Sequence, residues 1–136
     1  MANPRQTPVE RRNRRRTGEN RRHVTLFVAG AQTAAAGKHT FRMPESGSYV
    51  GTTCKLETVN TGATFIVDVN KNGTTLYTTQ GRRPTIAISA ATKTSTESAQ
   101  ADITALAEGD TITIDVDQIG STVAGTGLSV TFSYDA

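Results

Sequence analysis

Four groups of residues in this 136-residue chain have types and spacing that could carry chemistry. The first is Asp68-Val69-Asn70-Lys71-Asn72-Gly73, which matches the opening half of an EF-hand calcium loop, D-x-N-x-N-G. Such a loop closes its oxygen cage with a bidentate glutamate at the twelfth position, which here is Thr79. A carboxylate from Asp115 or Asp117 would have to complete the ligand set. The same letters are fully explained as a strand followed by an Asn-Gly turn, so no metal is expected. The second group is Asp115 and Asp117, which lie two apart and share one face of a strand. They could form an acid pair, but the ordinary reading is the solvated outer face of a sheet. No general base stands nearby in sequence, and the chain has few of the aromatic platforms that flank glycosidase carboxylates.

The third group is the single Cys54 with the only two histidines, His23 and His39. Cys54 alternates with Val50, Thr52 and Leu56 on what reads as the inward face of a strand, where cysteine acts as a small hydrophobe. No Ser-His-Asp arrangement, phosphate loop or zinc-ligand cluster is present in the sequence, and no segment has the apolar character of a secretory signal, so the Asn72-Gly73-Thr74 sequon is not informative. Neither an enzyme nor a cofactor is expected.

The fourth group carries the strongest signal. Residues 1–23 contain Arg5, Arg11, Arg12, Arg14, Arg15, Arg16, Arg21 and Arg22 against Glu10 and Glu19, eight charges against two, or +6. Residues 24–136 hold seven Lys and Arg against ten Asp and Glu, or −3. The chain therefore divides into a basic arm, 1–23, and a mildly acidic body, 24–136, which should have different partners. The arm has almost nothing to bury and alone in water should be disordered. Thr7-Pro8-Val9-Glu10 has the form of a capping box with proline at the first helical position, and Gly18 stands where a helix would stop, so residues 8–16 could form a helix on a partner surface. Three readings compete: an acidic protein surface gripped by guanidinium–carboxylate pairs, nucleic acid gripped through its phosphates, and a plain solvated tail. The arm lacks the aromatics that would stack on bases, which favours the protein surface.

The body must build its core from Val, Ile, Leu and Ala with few aromatics, and its abundant Thr and Ser suit strands with one wetted face. Eight or so strands can be read. They cover residues 24–29, 38–43, 49–58, 64–70, 74–78, 85–88, 111–117 and 128–134, with residues 31–37 as an alanine-rich link, and 101–106 as a short strand or a turn of helix. Ile86 and Ile88 should share a face. The cleanest alternation is Ile112, Ile114 and Val116 against Thr113, Asp115 and Asp117, and Leu128, Val130, Phe132 and Tyr134 against Ser129, Thr131 and Ser133. Residues 67–76 and 114–123 repeat an aliphatic-Asp-Val start and a Gly-hydroxyl-Thr continuation at an offset of 47, as chance or as two similar elements packed across one core. Turn signals about every ten residues predict an all-β, antiparallel two-sheet sandwich, jelly-roll-like, with the basic arm extending from it.

The runs VDVNKNGTTLYTTQGRRPTI and ITALAEGDTITIDVDQIGSTVAGTGLSVTFSY resemble a β-sandwich module of tailed-bacteriophage structural proteins. Such modules occur in capsid decoration and head proteins and as appended domains of minor tail and fibre proteins. The resemblance covers most of residues 24–136, leaves out the arm, and brings no catalytic residues. It implies a virion protein on the capsid surface, made in the host cytoplasm, with the major capsid protein or another virion protein as partner and a homo-oligomer such as a trimer as its form. A tail-fibre or receptor-binding module is the alternative, although no shaft or coiled-coil segment is present in the sequence. A nucleic-acid-binding protein using the arm is the third reading. With no run of eighteen apolar residues, no membrane partner is expected.

Overall fold

The computed structural model describes residues 20–136. Nine strands run through them: β1 (Arg21–Ala31), β2 (Ala35–Arg42), β3 (Gly47–Thr58), β4 (Phe65–Lys71), β5 (Thr74–Thr75), β6 (Thr85–Ile86), β7 (Ala105–Leu106), β8 (Thr111–Gln118) and β9 (Thr126–Asp135). One sheet has the order β1-β9-β3-β7, and the other β2-β8-β4-β5 with β6 also on β4. Every ladder is antiparallel, and the pairings nest: β1 with β9, β2 with β8, β3 with β7, and β4 with β5 and β6. A long hairpin rolled so that successive rungs fall in alternate sheets gives this order, which is the jelly-roll winding. The β3–β9 and β4–β8 ladders close the roll.

Alternation dictates the core. Ile112, Ile114 and Val116 on β8 and Leu128, Val130, Phe132 and Tyr134 on β9 are buried, each with the polar residues between them turned outward. Phe41 and Phe132 meet edge-on from opposite sheets, with ring centroids 5.2 Å apart, and Phe132 also contacts Tyr49 at 4.9 Å. The β4–β5 turn is as expected: Asn72 has φ 51° and Gly73 φ 83°, both left-handed, as a two-residue hairpin matched to sheet twist demands.

Several details differ from the sequence reading. The alanine-rich link belongs largely to strands, since β1 runs to Ala31 and β2 begins at Ala35. On β3 a register shift between Tyr49 and Gly51 changes the alternation, so Tyr49, Thr52, Cys54 and Leu56 face inward and Val50 is only partly covered. Ile86 is buried but Ile88 is 50% exposed, because β6 stops at Ile86 and the chain turns away. Strand pairing in β5 ends at Thr75, after which Leu76 and Tyr77 plunge into the core. The two similar segments do not pack across the core; they are neighbours in one sheet, with Val67 opposite Val116 and Asp68 opposite Asp115.

Candidate functional site

The arm boundary moves. Arg21, Arg22 and His23 are the first residues of β1, an edge strand, and belong to the sandwich. Register sets Arg21 opposite Asp135, and its guanidinium donates from Nε to Oδ1 at 2.6 Å and from Nη2 to Oδ2 at 3.3 Å. That donated hydrogen bond holds the Asp135 carboxyl below its ordinary range. Arg22 lies 3.7 Å from Glu45, whose Oε2 also accepts from the Tyr134 hydroxyl at 3.0 Å. Two of the eight arginines expected to grip a partner are thus paired within the domain. Asn20 is held to the C-terminal residue, with Ala136 N donating to Asn20 O at 3.1 Å. The N-terminal segment therefore joins the body at one defined corner, beside Asp135. Arg5, Arg11, Arg12, Arg14, Arg15 and Arg16, and the expected helix over 8–16, lie outside the described residues.

The calcium-like stretch is drawn apart. Asp68 Oδ1 accepts from Thr75 Oγ1 at 2.6 Å and from Val69 N at 2.9 Å. Asn70 donates to Asp115 at 2.6 Å, while Asn72 donates to Asp110 at 3.0 Å and accepts from Thr111 N at 2.9 Å. Asp68 and Asn70 lie two apart on one side of β4 and Asn72 follows in the turn, yet each of the three is held by a different partner. Asp115 and Asp117 do share the outer face of the second sheet, but each has its own donor: Gly37 N at 2.8 Å for Asp115, and Arg83 Nη1 at 2.7 Å for Asp117. Among the described residues, no three His, Cys, Asp or Glu side chains are grouped as a metal would need. Cys54 is fully buried, which pushes its thiol up to about 12 and keeps it protonated. His23 and His39 are engaged elsewhere, with the Ser133 hydroxyl and the Phe27 carbonyl, each at 2.8 Å.

A cleft of about 340 Å³ lies beside the root of the arm, between the start of β1 and residues 50–53 of β3, with Ser95, Glu97 and Ser133 in its walls. Glu97 was not singled out from the sequence, where it sits inside a Thr- and Ser-rich loop. Its placement follows from the backbone accounting of β3. Leu56 N donates to Lys93 O at 3.0 Å and Cys54 N to Ser95 Oγ at 2.7 Å. Two residues further, at the register shift, Thr52 N donates to Glu97 Oε1 at 2.8 Å, so the carboxylate takes over where strand-like pairing stops. A Cβ at Gly51 would stand 3.3 Å from Glu97 Oε1, so the missing side chain is what lets the carboxylate approach.

Behind Glu97 a polar thread enters the core. The Tyr49 hydroxyl lies 2.5 Å from Thr52 Oγ1 and 2.6 Å from the Tyr77 hydroxyl, so the thread runs from Thr52, whose N–H donates to Glu97, to the two tyrosines. Burial raises Glu97 above the ordinary carboxylate range, and the bond from Thr52 N partly offsets that rise. Both tyrosines are pushed far up by burial and stay neutral donors. In the described residues, four ion pairs connect Arg21 with Asp135, Arg22 with Glu45, Arg82 with Asp102 and Arg83 with Asp117, and none of them includes Glu97. Comparison of the chain with protein-family models and with curated proteins gives no match in either.

Proposed function

We propose that this chain is a structural protein of a tailed-bacteriophage virion that decorates and stabilises the capsid, held there by its arginine-rich N-terminal segment. The carrying observation is the redrawn division of charge. Residues 1–19 hold six arginines against two glutamates, or +4, whereas residues 20–136 hold nine Lys and Arg against ten Asp and Glu, or −1. A nearly neutral, self-contained jelly roll thus has a concentrated cationic segment joined at one corner. Arginine is suited to an acidic protein surface because its planar fork makes two parallel bonds to a carboxylate. The jelly roll is shared by viral capsid and lectin domains, which supports the reading by fold-level analogy. The major capsid protein is the proposed partner, the capsid surface the proposed location, and a trimer or other homo-oligomer the proposed form.

The test uses tailed-phage capsids lacking this protein, mixed with the full chain or with a variant in which Arg11, Arg12, Arg14, Arg15 and Arg16 are changed to Gln. The full chain should sediment with capsids, and the variant should remain in solution with an unchanged melting temperature. Equal sedimentation of the two would overturn the anchor. Tighter binding to duplex DNA than to capsids, weakening by about 0.9 log units per phosphate contact for each decade of salt, would move the reading to nucleic acid.

A further inference from the structure

We infer that the cleft walled by Glu97 is a guanidinium-binding site, filled by an arginine of residues 1–19 of the same chain. The inference goes beyond capsid attachment and does not depend on it. Glu97 is a half-buried carboxylate that accepts from Thr52 N at 2.8 Å and lies against Gly51. Desolvating a carboxylate without a cation is costly, and ion pairing is what offsets that cost. Among the described residues, Arg21 is the cation in the cleft wall, and it is engaged bidentately by Asp135.

The rest of the lining selects the ligand. Ser95, Ser133 and Thr53 offer hydroxyl oxygens that can accept, so a ligand with several donors in a plane matches better than a point charge. A sugar would present hydroxyls too, but among the described residues no aromatic side chain lines the cleft to stack on it. Among biological cations, the arginine side chain fits both the carboxylate and the hydroxyl rim. The source is close in sequence, because Arg21 lines the cleft and Arg16 stands five residues before it.

The experiment is an amide NMR titration of the full chain with methylguanidinium, without capsids, so its outcome is separate from that of capsid binding. Saturable shifts are expected at Gly51 and Thr52, with methylammonium binding more weakly. In Glu97→Gln, which keeps an oxygen acceptor for Thr52 N–H, affinity should fall at least about tenfold, the scale of a charge-assisted hydrogen bond. In the chain with Arg11, Arg12, Arg14, Arg15 and Arg16 changed to Gln, the probe should bind more tightly, because its competitor is gone. Competition that is constant with protein concentration supports the chain's own segment as the occupant, and competition that grows with concentration would overturn it in favour of a second copy. Absence of saturable shifts, or shifts unchanged in Glu97→Gln, would overturn the site. Equal probe affinity with and without the arginines would overturn the proposed occupant.

Discussion

Val67-Asp68-Val69 on β4 and Ile114-Asp115-Val116 on β8 lie side by side, and both continue into a glycine six residues after the first aliphatic. From there they diverge. Gly73 follows Asn72 in a two-residue hairpin and has φ 83°, with open space where a Cβ would stand. Gly120 sits where residues 119–123 fold against Thr61, and a Cβ there would meet Val123 O at 1.9 Å and Thr61 O at 2.7 Å. One glycine is required for backbone conformation and the other for space. The aspartates differ as well. Asp68 is only 7% exposed under Thr75, and burial raises its carboxyl above the ordinary range, whereas Asp115 remains partly exposed and bonded to Gly37 N and Asn70. Similar letters thus fix similar strands, while the function of the turn and the state of the carboxylate depend on what arrives from elsewhere in the chain.

The largest effect should come from breaking what the two segments share. Val116→Asp places an unpaired charge between the sheets and should cost more than about 4 kcal/mol, enough to unfold a domain of ordinary stability, while Thr113→Asp on the outer face should stay within about 0.5 kcal/mol. Similar thermal melts for the two variants would contradict the assigned faces. Next come the glycines. Gly120→Ala must displace backbone and should cost about 3 kcal/mol or more, against about 1–2 kcal/mol for Gly73→Ala, which only forces alanine into a left-handed conformation. The reverse order in urea unfolding would show that the two turns had been misread.

A smaller effect is expected at Asp68. Its folded-state pKa is raised, so the ionised carboxylate destabilises the fold at pH above that value, and the penalty vanishes below the ordinary aspartate value of 3.8. Asp68→Asn, which retains an oxygen to accept from Thr75 and Val69 N–H, should therefore raise the melting temperature at pH 7 but not at pH 3. A gain equal at both pH values would point away from ionisation. The smallest effect expected is none: calcium at millimolar concentration should leave the melting temperature unchanged, because Asp68, Asn70 and Asn72 are held by separate partners. A rise reversed by chelator and lost in Asp68→Ala would restore the hairpin as a metal site.

The two-sheet architecture was legible because β8 and β9 alternate without interruption and Asn72-Gly73 admits few other conformations. Val50 is misplaced by strict alternation because a register shift at Gly51 changes which residues face inward, and the lone glycine inside the strand is the only local sign of it. Arg21 and Arg22 read as arm because charge composition outweighs the strand signal, and their partners come from far along the chain, Asp135 lying 114 residues from Arg21 and Glu45 lying in the turn after β2. Glu97 was hidden for the same reason. Its partner Thr52 is 45 residues distant, and its loop gains strand-like order only by lying along β3. Local pattern carries strands and turns, but not which loop supplies a bond that a sheet edge lacks.

Attachment through residues 1–19 is tested most directly by three-dimensional reconstruction of tailed-phage capsids lacking this protein, after incubation with the full chain or with a chain deleted for residues 2–19. The deletion leaves Asn20 with Ala136, Arg21 with Asp135 and Arg22 with Glu45, so the jelly roll keeps its corner contacts. Density for the sandwich should appear at regular surface positions with the full chain and be absent with the deleted one. Equal occupancy by the two chains would contradict anchoring through the arginine-rich segment and place the contact on the sandwich itself.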